Sequence, residues 1–380
     1  MWQSSARPAA LRRLARALPL VLLVLAACGG GSSPYATPTG TGGQGGRPRD
    51  TTFGVGCGLT CAEYGAECGL YQPADCSLAY ECGTCAAPLV CGAAAANRCG
   101  RPGTWTIDQS ARSVFLFDVM TVWGSGRSDV WAGDSYGMVG IYDGISWREL
   151  VNLGSGNGVT AIHGSGPNNI WISTVSGYVY QVVDNQIVPH RVSTGEIEDV
   201  WTGGPNEAWA TGFITVFRWD GTTFGNSGPS GLDATGVWGV PGGGPLWVVS
   251  RDGWVSKREG GTWTDVIASG LPLGRITGID AENIWAVGRN IYRFVRAGTS
   301  YETVGVLPTD QIFPTYYGLW VQSPTNVWAV GTEGLIAHGD GRHFEIQPSP
   351  TKSNLHTIWG SGPGDIWVGG PDGLMMHYTQ

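Results

Sequence analysis

From residue 100 to residue 380 the chain has no cysteine, so whatever folds there does so without disulfides or thiolate metal sites. It has no nucleophile elbow, no P-loop, no dinucleotide fingerprint and no zinc-binding His pair, which removes the usual sequence signs of serine acyl transfer, nucleotide handling and zinc hydrolysis. No apolar run is long enough to cross a bilayer as a helix. The longest, Ala17 to Ala27, is short and interrupted by Pro19. Positive charge is also scarce: 22 basic side chains face 30 acidic ones, for a net charge of −8. Loss of the four arginines in residues 1–27, a stretch without acids, takes the 22 to 18 and the net charge to −12. That balance argues against nucleic acid or an anionic membrane surface as partner.

What the chain has in quantity is Gly and Trp, and the tryptophans recur with a period. A short apolar string, usually entered from Asp or Asn, places Trp131, Trp171, Trp209, Trp247, Trp285, Trp328 and Trp367 at spacings of 40, 38, 38, 38, 43 and 39 residues. A period near forty means one supersecondary unit repeated and stacked. Each Trp sits in about five residues rich in Val and Ile, bounded by Gly, Pro, Asn and Asp, which is strand composition with turn punctuation. Eight residues earlier an aromatic marks another strand, as at Trp123, Trp201, Trp320 and Trp359, with His163 taking that place once. A two-residue turn ending in Gly follows the Trp strand, as at Ser176-Gly177 or Asp372-Gly373, where glycine supplies the positive φ of a tight hairpin. Fifteen or sixteen residues past the Trp comes the marker of a fourth strand: Trp147, Ile187, Phe224, Trp263, Tyr301 and Phe344.

Four short antiparallel strands per forty residues are a β-propeller blade. The expectation is an all-β, seven-bladed propeller over residues 101–380. Its seventh repeat ends before a fourth strand, and Gly103-Thr104-Trp105-Thr106 copies Gly261-Thr262-Trp263-Thr264 of the fourth repeat. The N-terminal copy is therefore expected to supply the missing outer strand and close the ring, leaving no open edge.

Three segments precede the ring. Residues 1–27 read as an export signal, with Arg7, Arg12, Arg13 and Arg16 before the apolar run. The tetrad Leu25-Ala26-Ala27-Cys28 resembles the lipobox of bacterial lipoproteins, which makes Cys28 the expected lipidation site. Residues 28–56 are rich in Gly, Ser, Pro and Thr, a composition that tethers and does not fold, with a reach of roughly 30 Å. Residues 57–100 hold the other eight cysteines: Cys57, Cys61, Cys68, Cys76, Cys82, Cys85, Cys91 and Cys99. An even number in so short an exported segment is expected to form four disulfides, of undetermined pairing. Zinc is the alternative, on Cys82-x2-Cys85, in a segment without His.

The strings Ile284-Trp285-Ala286-Val287-Gly288, Trp359-Gly360-Ser361-Gly362-Pro363 and Asp143-Gly144-x-x-Trp147 resemble a group of exported bacterial repeat proteins, many of them lipoproteins with a Cys-rich segment before a propeller. The likeness spans residues 18–380 and implies architecture and an outer-membrane or other envelope location, with little chemistry. Three other families fit less well: kelch repeats want a Gly-Gly pair after the second strand, Asp-box repeats separate an Asp and Gly that here are adjacent, as in Asp143-Gly144, and tectonin repeats share the Val-Trp-Gly and Asp-Gly strings only loosely.

A propeller hosts many functions, so the site has to come from residues that break the repeat. The recurring Asp129, Asn169, Glu207, Asn283, Asn326 and Asp365 read as turn residues at strand entry, and a ring of metal ligands is the sharper alternative. His338 and His377 take equivalent places in third strands, where Ile141, Gln181 and Lys257 stand elsewhere. For polysaccharide hydrolysis or lysis in the channel, two carboxylates are needed about 5–10 Å apart, and Asp199 and Asp280 are the candidate pair. The preferred reading is non-catalytic: a membrane-anchored exterior protein whose variable loops, joining one blade to the next, bind a protein or glycan. The longest such loop carries Asp310, Gln311, Phe313, Tyr316 and Tyr317. No cofactor and no metal are expected.

Overall fold

In the computed structural model the described residues are 60–71, 80–86, 89–95, 97–183, 186–212, 215–229, 231–268, 270, 272–295, 300–304 and 315–380. Cys28, Cys57, Cys76, Asp310, Gln311 and Phe313 lie outside them. Seven four-stranded antiparallel sheets form the ring. Their inner strands are Val119–Gly126, Val159–Gly166, Ile197–Gly204, Ala234–Gly239, Leu273–Asp280, Tyr316–Ser323 and Thr357–Gly362, for blades 1 to 7. Each inner strand neighbours the next, and that of blade 7 neighbours that of blade 1. In the seventh sheet the outer strand is Thr104–Ile107, paired antiparallel to Met375–Thr379 with Trp105 opposite Tyr378. The ends of the propeller chain close it, as the repeated Gly-Thr-Trp-Thr string predicts.

The second strand of each blade is buried almost throughout because it lies between neighbouring sheets on both faces. Trp171, Trp247, Trp285 and Trp367 are fully buried. In three blades the residue two before the Trp accepts the indole N–H: Asp129 for Trp131 at 2.8 Å, Asn169 for Trp171 at 3.2 Å and Asn326 for Trp328 at 2.8 Å, whereas Trp285 donates to the Gly341 carbonyl in place of Asn283. These residues also bind their own turns, as Asn169 does through Ser165. They serve as turn and indole acceptors, which is why the repeat keeps them. A buried N–H without partner costs about 1–3 kcal/mol.

The third-strand residue opposite the Trp covers its ring. His338 stacks on Trp328 at 4.0 Å and His377 on Trp367 at 3.8 Å, with Asn326 and Asp365 bonded to their Nε2 atoms. Burial holds His338 down to about 4. Both histidines are packing residues of their own blades.

Within the Cys-rich segment three disulfides are described: Cys61–Cys82, Cys68–Cys91 and Cys85–Cys99. They correct the zinc alternative, because the sulfurs of Cys82 and Cys85 belong to different disulfides. The segment and the ring fall in one compact unit. Thr325 of blade 6 donates to the Asn97 side chain at 2.9 Å. No helix among the described residues is long and apolar enough to cross a membrane.

Candidate binding face and central channel

The inner strands all run the same way, from the loops that join blades to the hairpin that turns into the second strand. Along each, the side chain opposite the second-strand Trp points into the channel mouth, giving the belt Trp123, His163, Trp201, Trp238, Thr277, Trp320 and Trp359. Each indole lies on the glycine that follows the belt residue of the next blade. A Cβ on Gly164 would stand 2.4 Å from Trp123, on Gly278 2.9 Å from Trp238, on Gly360 2.8 Å from Trp320 and on Gly124 2.6 Å from Trp359. Where the belt residue is smaller the next blade carries a Cβ. Thr202 faces His163 and donates its backbone N–H to His163 Nδ1 at 3.1 Å. Burial holds His163 down to about 4, so its ring is neutral and able to accept that bond. After Thr277, the corresponding residue of blade 6 is Val321.

Two residues nearer the loops stand Thr121, Ala161, Asp199, Gly236, Arg275, Gly318 and Thr357. Here the sequence reading of blade 5 is corrected. Blade 5 has no aromatic to mark the belt, and the candidate pair Asp199 and Asp280 takes Asp280 for its belt residue. The register instead pairs Thr277 with Trp285 and Asp280 with Asn283. Counting eight back from Trp285, as in every other blade but blade 4, reaches Thr277, and two further reach Arg275. Asp280 is an exposed turn residue whose carboxylate accepts the N–H groups of Glu282 and Asn283. It is not brought to Asp199.

Side chains of this layer strap one blade to the next. Thr357 Oγ1 accepts the N–H of Val122, Thr121 Oγ1 that of Ile162, and Asp199 Oδ2 that of Val237 at 3.0 Å. Asp199 Oδ1 accepts the N–H of Val200. Burial pushes the Asp199 carboxyl up, against the opposing pull of Arg275 and these two N–H groups. Arg275 itself donates to the carbonyls of Thr235 at 3.1 Å, Glu198 at 3.4 Å and Thr160 at 3.2 Å. Thr160 belongs to blade 2, three blades round the ring, so the guanidinium lies across the channel and ties four blades together. A cavity of about 280 Å³ remains, lined by the belt, Asp199 and Arg275. Among the described residues that line it, Asp199 is the one carboxylate. The reading that the sequence holds no nucleophile elbow is corrected in its letters, since Gly133-Asp134-Ser135-Tyr136-Gly137 matches the motif, but the string joins two strands through a turn and no helix follows.

The second candidate is the face where the blade-joining loops meet the turns between second and third strands. Phe117 and Tyr136 stack there, centroids 4.4 Å apart and planes 18° apart, although they are 43% and 46% exposed. Leu116 beside them is 72% exposed, and Trp254 and Tyr317 on the same face are 41% and 38% exposed. Among the described residues these four are all the exposed aromatics. Across the same face Arg251 bridges Glu198 at 2.7 Å and Asp233 at 3.1 Å. Of the loop residues picked from sequence, Tyr317 is thus placed on the surface. Tyr316 is not: it is 1% exposed and packs with Trp285, Ile291 and Leu335. Tyr317 is the extra residue of a bulge and stands outside the ladder, so Tyr316 and Gly318 face opposite sides of the sheet. The counterparts of Tyr316, namely Val119, Val159, Ile197 and Leu273, are buried apolar residues too, a signal present in the aligned repeats.

No protein-family model matches the chain, and no curated protein does. Solved propellers do match. A structure of YCF48 bound to a D1 peptide aligns with TM-score 0.59 and 15% identity over 74% of this chain and 96% of that one. YCF48 from Cyanidioschyzon merolae gives 0.58 and 17% over 72% and 98%. The WD40 β-propeller domain of Doa1 gives 0.60 and 11% over 70% and 93%. The likeness is one of fold.

Proposed function

We propose that the propeller is a non-catalytic binding scaffold, and that its blade-joining loop face docks a segment of a partner protein. The observation that carries this is the gathering of Phe117, Tyr136, Trp254 and Tyr317, the exposed aromatics, on that one face. Aromatic side chains left in water by the fold supply large contact area at low entropic cost, and they dominate interface energetics. A propeller of similar fold, YCF48, is described with a peptide bound, which supports a peptide over a glycan. Peptide and glycan arrays probed with the intact chain test the reading. The double variant Phe117→Ala/Tyr136→Ala is expected to lose on the order of tenfold in affinity for the peptides retained. Ile145→Ala, at an 86% exposed side chain in a turn on the opposite face, is expected to change nothing. Retention of glycans alone would defeat the peptide assignment, and equal affinity of all three proteins would defeat the face.

We further propose that the chain is exported and held at the bacterial envelope through lipid on Cys28. Supporting it are the basic, apolar and Leu-Ala-Ala-Cys order of residues 7–28 and the three disulfides, which belong to an oxidising compartment. Cys28→Ala is expected to move the protein from the membrane to the soluble fraction and to abolish metabolic lipid labelling. A variant that stays in the membrane fraction, beside a wild type that takes no label, would defeat the anchor.

A further inference from the structure

At the outer part of each blade junction the repeat has a packing habit. The third-strand residue one past the Trp-covering position lies on the Trp of the preceding blade. Tyr142 packs on Trp367 at 4.7 Å, Trp219 on Trp171 at 5.1 Å and Tyr378 on Trp328 at 5.3 Å. Phe294 holds the same place in blade 5, and Val182 and Gly339 hold it in blades 2 and 6. Blade 4 breaks the habit with a cation. Arg258 stands there, its guanidinium carbon 4.9 Å from the ring centre of Trp209. The residue that covers Trp209 from its own blade is also an arginine, Arg218, at 5.6 Å. The two guanidinium groups thus share one indole and feel each other's charge, as the corresponding side chains at the junction of blades 7 and 1, Tyr142 and His377, lie 6.4 Å apart.

The acids of the surrounding turns are spent on other groups. Glu259 pairs with Lys257 at 3.1 Å, and Asp220 accepts the N–H groups of Thr222 and Thr223. Glu207 stands where Asp129, Asn169 and Asn326 take an indole N–H, yet its carboxylate is drawn to the N–H groups of Gly242 and Gly243. It therefore leaves the Trp209 indole unclaimed. Arg258 Nε is buried without a partner. Burial, and then the charge of Arg218, push the Arg258 guanidinium below its usual range. Two like charges have been brought together in a chain of net charge −8, and among the described residues no carboxylate pairs with either.

We propose that Arg218, Arg258 and Trp209 form a binding site for an oxyanion, the carboxylate or sulfate group of a ligand, between blades 3 and 4. Guanidinium forks match such groups in a bidentate manner, and each remains stacked on the indole while doing so. The site lies toward the turns between third and fourth strands, opposite the aromatic loop face, and is independent of the docking surface there.

Titration calorimetry of the intact protein with sodium sulfate and with glutarate, at an ionic strength held constant with chloride, tests it. Saturable binding of one or both probes at a single site is expected, with Arg258→Gln and Arg218→Gln each weakening it on the order of tenfold or more. Arg258→Phe restores the residue type that blade 5 carries. It is expected to keep the melting temperature of the wild type and still lose the binding. Arg148→Gln, at an exposed arginine of blade 1, is expected to leave the affinity unchanged. Sulfate alone, or glutarate alone, would assign the group. Absence of saturable heat with both probes, or equal affinity in the wild type and Arg258→Phe, would overturn the site.

Discussion

Removing residues 1–109 is expected to lower the melting temperature of the ring by roughly 5–10 °C or to make it aggregate, whereas removing residues 1–100 costs a few degrees at most. The larger deletion strips the strand Thr104–Ile107 from the last blade. With it go Trp105, whose ring lies 5.1 Å from Tyr378 and 6.0 Å from Trp328, and the bond from the Gly103 N–H to the Tyr378 hydroxyl. Burial of Trp105 and Ile107 contributes about 3 kcal/mol together, against a total stability of about 5–15 kcal/mol. The exposed edge of Met375–Thr379 would then offer unpaired backbone to another molecule. The shorter deletion keeps the strand and loses the Cys-rich segment, including the bond between Thr325 and Asn97. Differential scanning calorimetry of both truncations decides the matter. If they melt together, the closing strand is not what holds the ring shut.

That closure was legible because it is written twice in the chain, once as Gly103-Thr104-Trp105-Thr106 and once inside the fourth repeat. The blade count and strand order were legible for the same reason: a repeat averages out the noise of any single strand. The channel was less so. Its identity depends on which inner-strand residue faces the axis, and in blade 5 the marker aromatic is replaced by Thr277, so Asp280 was taken for it and Arg275 went unseen. Tyr316 read as a loop residue, but the bulge at Tyr317 breaks the period of two, so that Tyr316 faces the core and Gly318 the other side. The arginine pair at Trp209 lay beyond reach for another reason. Arg218 and Arg258 are forty residues apart in sequence and in different blades, and only the packing of one sheet on the next shows that they share a ring.

The belt lends itself to a sharper experiment, because size matching between neighbouring blades can be moved from one junction to another. At the junction of blades 6 and 7, Trp320 lies on Gly360, and a Cβ there would meet two atoms of the indole at 2.8 Å. The alternative pairing already exists where His163 faces Thr202. Gly360→Thr alone is expected to cost about 2–3 kcal/mol through overpacking. Trp320→His alone is expected to cost about 2–3 kcal/mol through lost burial and the cavity it leaves. Together they should cost less than the sum by on the order of 1–2 kcal/mol, since the smaller ring vacates the space that the new Cβ needs. The Asp365 carbonyl, 3.0 Å from the same Cβ, penalises the single and double variants alike and so drops out of the cycle. Guanidinium unfolding of the four proteins gives the coupling. Strict additivity would mean that the glycines of the belt are kept for their backbone alone, and that the indoles of adjacent blades do not set one another's size.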